Sequence, residues 1–546
     1  MKKYLIACLF IIFGCKSEPN IEILAIDVSP ASIILKLGSS IASQQITAKV
    51  APVNAADLIL WLSDNNKVAT VSQTGLVTAT GVGVTNINVT AGNKSKIIPV
   101  SVLSGNVNNV VLYTEKNYKG IATELSKTGE YTDTGYKIAS LAIPDGLRIK
   151  LYRDEKLGGG YLGLEENQND LTQSGWYDNI VKITVEEYSE DEPLVKNYNY
   201  VLGTQIFNPL YGFRHEDWTY EGAEEMYKMG ANVIKMRGTH FSSGHPAANH
   251  RKILEDFDFR YIYFHVDTEP SSYWPGIINN EERKAEIYNA MYGFVQNLLT
   301  KYNDTGKSFY LGHWEGDWLL LSFAGGSPDN LKQEVGDENI QGMVDWLNTR
   351  QKAIEDAKRD TPHTNVNVWG FTEANRTTDI EKGCERVVNT VLSKTNVDYL
   401  SYSAWDIDGL PGEEVKKYIN YMDSIIPDKV GVPNYGKRVF IGETGLPAEL
   451  CDWSHKKHNS ANLDKFVKFF DAGVSQILYW EIYNNEPQRG FWLIDDQGVK
   501  WQLYYSFKAF YCNAKEYVRK YIADNGTTPG TAEFNAWASM FLKTLY

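Results

Sequence analysis

The sequence predicts a multidomain chain in which two small all-β units precede an eight-stranded α/β barrel of the (β/α)8, or TIM, type. Three observations predict this. The chain has 546 residues, several times what one compact unit of roughly 100–200 residues holds. Up to about residue 188, apolar residues recur in short alternating runs broken by Gly, Asn and Asp, with no helical period. Beyond residue 198, strand-like and helix-like stretches alternate eight times. Hydrophobic residues make up 43% of the chain, enough to bury large cores.

The first 15 residues read as an address. Lys2 and Lys3 precede an apolar run from Leu5 to Phe13, then Gly14 and Cys15. A basic start with a short apolar stretch is a secretory signal, too short for a permanent bilayer span. Ile12-Phe13-Gly14-Cys15 resembles the bacterial lipoprotein cleavage box, although Phe13 is bulky for it. That resemblance implies cleavage before Cys15 and acylation of its thiol. The expected location is the outer membrane, held by the lipid anchor and facing the periplasm or the cell surface. Lys16 stands where inner-membrane retention commonly uses Asp. The net charge of −14 excludes nucleic acid as the expected partner, since phosphate binding needs surplus Lys and Arg. Cys384, Cys451 and Cys512 show neither metal-ligand spacing nor a disulfide framework. No cofactor is expected, and the chain is expected to be a monomer.

Residues 21–104 alternate as Ile33-Ile34-Leu35-Lys36-Leu37 and Thr85-Asn86-Ile87-Asn88-Val89, which reads as a β sandwich. The run Trp61-Leu62-Ser63-Asp64-Asn65, Val68-Ala69-Thr70-Val71, Gly75-Leu76-Val77-Thr78-Ala79 resembles bacterial group 2 immunoglobulin-like domains, which implies a spacer or adhesive module. In residues 108–188, Val110–Tyr113 leads to Tyr118-Lys119-Gly120, and Ile149–Tyr152 leads to Gly160-Tyr161-Leu162-Gly163. These paired half-units suggest a duplication and are similar to the βγ-crystallin Greek key. Many such domains bind Ca²⁺. Here Asp178-Asn179 and Ser140 match that pattern in part, while Lys182 stands near a ligand position. Residues 189–197, charged and with one Pro, read as a linker.

From 198 to 546 the expected strands are Tyr200–Phe207, Asn232–Arg237, Tyr261–Val266, Ser308–Trp314, Val366–Phe371, Tyr399–Ala404, Arg438–Gly442 and Gln476–Ile482. Helical stretches such as Glu281–Lys301, Asn339–Lys358 and Ile380–Leu392 separate them. Alternation in one run favours a closed parallel barrel. The runner-up, an open doubly wound sheet, lacks a Gly-rich phosphate loop after its first strand. Barrel chemistry sits at the carboxyl ends of the strands. There stand Arg237 on strand two, His265 on three, His313-Trp314-Glu315 on four, Glu373 and Asn375 on five, Tyr402, Trp405 and Asp406 on six, Glu443 on seven, and Trp480 on eight.

A ring of carboxylates and aromatics suits acetal cleavage, in which one carboxylic acid protonates the leaving oxygen and a second carboxylate attacks or activates water. The 34 Tyr and 14 Trp suit sugar stacking, though they serve cores equally well. The motif Arg438-Val439-Phe440-Ile441-Gly442-Glu443-Thr444-Gly445, with Glu315-Gly316, resembles clan A of the glycoside hydrolases. That resemblance implies a carbohydrate substrate, Glu315 as acid/base and Glu443 as nucleophile. Arg237, His265 or His313, Tyr402 and Trp480 would be the supporting residues, with Tyr402 bonded to the nucleophile. The clan places Asn before its acid/base, where this chain has Trp314; His313 or Asn375 would take over, and Glu373 or Asp406 are the reserve carboxylates. A retaining mechanism is expected. Glu443 would be held ionised by Arg237, while Trp314, Trp318 and the charge on Glu443 would raise Glu315. Two readings compete: a noncatalytic glycan-binding lipoprotein, and a metal-dependent barrel hydrolase. Against the second, the nine His form no clear pair, and His240 and His245 read as loop residues.

Overall fold

The computed structural model describes residues 23–546, apart from 31, 38–41, 53–57, 82, 104–108, 126–127, 133–136, 154–159, 179, 239–246, 267–276, 278, 328–329, 408 and 488. Cys15, Asn179, His240 and His245 therefore lie outside the described residues. No helix among the described residues is long and apolar enough to cross a membrane. Cys384, Cys451 and Cys512 are free thiols. The chain divides into two compact units, Met1–Val107 and Asn108–Tyr546.

In the first unit, strand Gly83–Ala91 pairs with Lys94–Leu103 and with Leu60–Ser63 in one sheet. Ser43–Gln45, Ala69–Val71 and Leu76–Ala79 form a second. Strict alternation buries Ile87, Val89 and Ala91, and Ile33, Leu35, Trp61, Val77, Ile98 and Val100 complete the core. Period-two burial of this kind makes an antiparallel face amphipathic.

The second unit opens with two small antiparallel sheets, built from Val110–Glu115, Lys119–Leu125 and Ser140–Ala142, and from Gly129–Tyr131, Leu147–Arg153, Tyr161–Leu164 and Ile180–Glu187. Ser140 Oγ donates to the Glu115 carbonyl at 2.7 Å and accepts from the Tyr118 amide at 2.9 Å. The hydroxyl considered as a calcium ligand thus pins the hairpin. Lys182 faces Glu130 and the Tyr152 ring.

These sheets share one apolar core with the barrel. A Cβ on Gly160 would come within 2.7 Å of the Phe541 ring, and one on Gly163 within 2.9 Å of Cys512 Sγ. The glycines of the motif let this sheet lie against the helices Gln502–Asn525 and Thr531–Lys543. Asn513 bonds both the amide and the carbonyl of Tyr161, and Arg153 donates to the Thr544 carbonyl at 2.8 Å. Glu165 sits between Arg148 and Lys508. Burial raises its pKa, but the two cations more than offset that and hold it down to about 2. The expected linker at 189–197 is a docking segment instead. Val195 is buried, and Asp191 pairs with Lys515 and Arg519. Asp191 reads as solvated in sequence because its partners Lys515 and Arg519 lie more than 300 residues away.

The barrel is closed, with eight parallel strands in sequential order: Leu202–Ile206, Val233–Arg237, Tyr261–His265, Ser308–Gly312, Asn367–Ala374, Tyr399–Ser403, Val439–Thr444 and Ile477–Tyr479. Every expected strand is present. The helix expected over Ile380–Leu392 is instead a series of short 3-10 and π turns between Thr377 and Lys394. Buried Asp379 draws in the Arg376 and Arg386 guanidiniums, and buried Asp317 accepts from the Val387 amide at 2.7 Å. Those side-chain bonds compete with a continuous helical ladder.

Candidate active site

Inward side chains of a barrel stack in layers. The lower inward positions here are aromatic: Tyr261, Tyr263, Tyr310, Trp369, Phe371, Tyr399 and Phe440. Two residues further along strands two, five and six, the inward positions change chemistry to Lys235, Glu373 and Ser401. All three are fully buried. Lys235 Nζ lies 3.5 Å from Glu373 Oε2 and 3.3 Å from Glu443 Oε1, and donates to the Gly442 carbonyl at 2.9 Å. Ser401 Oγ donates to Glu373 Oε2 at 2.6 Å. Burial alone would raise the Glu373 pKa, but Lys235, His265 and Ser401 hold it well below the ordinary carboxylate range. Glu373 is therefore a fixed anion, not a proton carrier.

That anion positions the strand-four carboxylate. Glu373 Oε1 accepts from the backbone amide of Glu315 at 2.9 Å, which holds Glu315 at φ +21°, a value rare for a residue with a Cβ. Gly316 follows because a Cβ there would meet the Glu373 carbonyl at 2.5 Å. Gly442 is required for a related reason, since a Cβ would lie 1.9 Å from Ser401 Oγ and 2.7 Å from Glu373 Oε2. The glycine beside each glutamate thus makes room for the polar layer between them. A register shift between strands six and seven pairs Ser403 with Glu443.

Glu315 and Glu443 are buried, at 7% and 4% exposure, and act on each other. Burial, then the charges of Glu443 and Glu373, push Glu315 up to about 9. Burial also pushes Glu443 up, to about 7, although Lys235 pulls it down. Of the pair, Glu443 ionises first and Glu315 keeps its proton. The expectation that Glu443 is held low is corrected: desolvation outweighs the cation.

The cation is also a different one. Arg237 is exposed at the end of strand two, and Lys235, one layer deeper, contacts Glu443. Tyr402 is a second correction. Its hydroxyl donates to Asp406 Oδ1, whose other oxygen accepts from the Thr378 amide at 2.8 Å. The hydrogen bond to the nucleophile candidate comes from Trp405, whose Nε1 lies 3.4 Å from Glu443 Oε2.

His265 is buried with Nε2 3.9 Å from Glu373 Oε2, and its ring packs on Phe207. His313 sits behind the site, with Nε2 2.8 Å from Thr372 Oγ1 and Nδ1 3.1 Å from the Trp314 carbonyl. Burial pushes it down to about 4, so it is a neutral strut. Asn375 Oδ1 accepts from the Asp317 amide at 3.1 Å. Trp314 is exposed, and Trp480 stacks on Phe207 at the end of strand eight. His265, Glu373 and Glu443 each offer an atom within 4.8 Å of the others, as metal ligands would. The Lys235 ammonium already supplies positive charge to both carboxylates.

Residues 23–101 match the family profile of the bacterial Ig-like domain (group 2). A stretch of 76 residues is 41% identical to the lacto-N-biosidase of Bifidobacterium bifidum, covering 14% of this chain and 7% of that protein. The chain thus spans less than a tenth of that curated relative. Among solved structures, similarity extends to a GH5 xyloglucan-specific endo-beta-1,4-glucanase from a metagenomic library (12% identity, 58% of this chain and 97% of that one, TM-score 0.38). It extends also to a bacterial Ig-like domain containing GH10 xylanase from termite gut (12% identity, 89% and 100%, TM-score 0.30).

Sequence reasoning missed Lys235, Ser401 and Asp317. Lys235 had a signal, because a lysine flanked by Ile234 and Met236 on a barrel strand faces the core and needs an anion there. Asp317 had none. It is fully buried and accepts the amides of Asn375, Arg376 and Val387, so it anchors the strand-five loop.

Proposed function

We propose that the barrel is a clan A-type glycoside hydrolase that cleaves O-glycosidic bonds of a poly- or oligosaccharide with retention of configuration. The observation that carries this is the pair of buried carboxyls at the ends of strands four and seven, with Glu443 facing the buried Lys235 ammonium at 3.3 Å. Both groups sit where barrels place chemistry. In the first step a Glu443 oxygen attacks the anomeric carbon. The bond to the leaving oxygen breaks, and the Glu315 proton passes to that oxygen. In the second, water attacks the glycosyl ester, Glu315 takes the water proton, and Glu443 leaves as carboxylate. Lys235 and Trp405 stabilise the Glu443 charge before and after each step. Trp314 in place of the clan's Asn means the sugar 2-position is held by another group.

The test is reducing-end release from a polysaccharide panel, with Glu315→Gln/Glu443→Gln as control. Glu443→Ala should lose turnover and regain, with azide, a product of inverted configuration. An inverted first product from the unsubstituted enzyme would refute retention. No release at all would leave the noncatalytic glycan-binding reading. The His265, Glu373 and Glu443 cluster supports the metal-dependent alternative, and activity lost to chelator and restored by Zn²⁺ would establish it. The anchor proposal rests on the N-terminal sequence: Cys15→Ser should release the protein from membranes.

A further inference from the structure

The three exposed tryptophans among the described residues are Trp218, Trp314 and Trp453, at 40%, 50% and 48% exposure. Tryptophan is seldom left so open, and all three stand in the segments that follow barrel strands one, four and seven at their carboxyl ends. In a closed barrel of eight sequential strands, strand four lies opposite strand eight. Trp453 and Trp218 flank strand eight, and Trp314 lies across the mouth from them.

Each is presented by fixed structure. Asp452 and Trp453 are both left-handed, at φ +52° and +55°, a conformation that is an outlier for a bulky side chain. Gly490 lies under the indole, where a Cβ would meet Trp453 at 3.1 Å and Trp492 at 3.2 Å. Trp218 opens the helix Trp218–Met229. Gly212 leaves room for its ring, with a Cβ there 2.2 Å away. Glu221 accepts the amides of Phe213, Arg214 and His215, which fixes that loop.

Aromatic contacts connect Trp453 to the reacting centre. Trp405, bonded to Glu443, meets Phe491 edge-on at 5.7 Å. The next residue, Trp492, packs on Trp453 at 5.9 Å. Resting on the hydrolase reading above, we propose that Trp453 and Trp218 form outer sugar platforms on one side of the scission point and Trp314 on the other. The barrel then takes a glycan chain of pyranose rings across its mouth and cleaves internal bonds.

The test is affinity electrophoresis of the Glu443→Gln protein through gels containing xyloglucan, mixed-linkage β-glucan, xylan or galactomannan, with viscometry of the unsubstituted enzyme on the retarding polymer. At least one polymer should retard the protein. Trp453→Ala and Trp218→Ala should each weaken that retention by about tenfold, the scale of one stacked ring, and Trp453→Phe should keep it. Viscosity should fall ahead of reducing-end release. Unchanged retention in both alanine variants, retention by no polymer, or release of monomer with viscosity intact would overturn the proposal. Trp-dependent retention without any reducing-end release would refute the hydrolase reading and leave the platforms standing.

Discussion

Replacing Lys235 with Met removes the ammonium that, among the described residues, touches both Glu373 and Glu443, at 3.5 and 3.3 Å. At an effective dielectric of about 20, a unit pair at that range is worth roughly 5 kcal/mol. One pKa unit is about 1.4 kcal/mol, so the loss can raise Glu443 by up to about 3 units, and a shift of at least one unit is expected. Glu443 already lies above the ordinary range through burial. In K235M it stays protonated at neutral pH and cannot attack. The acid limb of kcat/KM should move up by a unit or more, turnover at pH 7 should fall at least about tenfold, and part of it should return toward pH 9. Stability follows the same sign. Two carboxyls whose folded pKa values have risen favour folding fully only below their unfolded values near 4, and that support is lost as pH rises. The melting deficit of K235M should therefore grow from pH 5 to pH 8, toward the roughly 3–5 kcal/mol expected for a broken buried ion pair. An unmoved acid limb, or a deficit independent of pH, would refute the assignment. Arg237→Ala should leave the acid limb where it is.

Four further outcomes are expected. Trp405→Phe should lower kcat about tenfold, since a hydrogen bond to a charged group is worth about 1.5–3 kcal/mol and this one is long. Tyr402→Phe should instead lower the melting temperature by loosening Asp406 and Thr378; the reverse pattern, read from kinetics and melting together, would restore Tyr402 as the nucleophile's partner. Glu165→Gln should destabilise the second unit above about pH 4. The low folded pKa of Glu165 gives stability that is present above its unfolded value and lost as pH falls toward 2, so the variant and the parent should converge in acid melts. A chain begun at Ser189 should aggregate or melt well below the full protein, because it exposes the apolar faces that residues 108–188 cover; a soluble product with full stability would show that the shared core contributes little.

The barrel was legible because parallel strands buried on both sides are short, apolar and β-branched or aromatic, and because helices with clear periods separate them. Glu281–Lys301 is helical over the expected span. The segment after strand five was not legible. Its apolar spacing fits a helix, but Arg386 turns back onto Asp379, and Asp317, 70 residues before Val387, captures its backbone. The docking of the 108–188 unit was hidden for the same reason. Gly160 and Gly163 marked a motif within one small sheet, and nothing local announced that Phe541 and Cys512 would fill the space they leave.

The site shows how far strand parity carries and where a family pattern overreaches. On strand two, Val233, Lys235 and Arg237 share the inward face, and successive inward residues rise by roughly 6–7 Å. Choosing between the two cations requires the depth of the anion. The clan pattern favours the strand's end, and on that basis Arg237 was expected. Depth is set by strand five, where Glu373 follows Phe371 and Trp369 on the same face, and so lies one layer above the aromatics. Ser401 stands opposite Glu373 in register, and Lys235 follows Val233 by the same count. A buried carboxylate on one strand and a buried lysine on another, each two residues beyond an apolar inward position, must meet, because neither tolerates burial alone. Counting inward layers on every strand would have selected Lys235 and Ser401 together. It would not have placed Glu443, which reaches the same level only through the register shift between strands six and seven, made possible by Gly442.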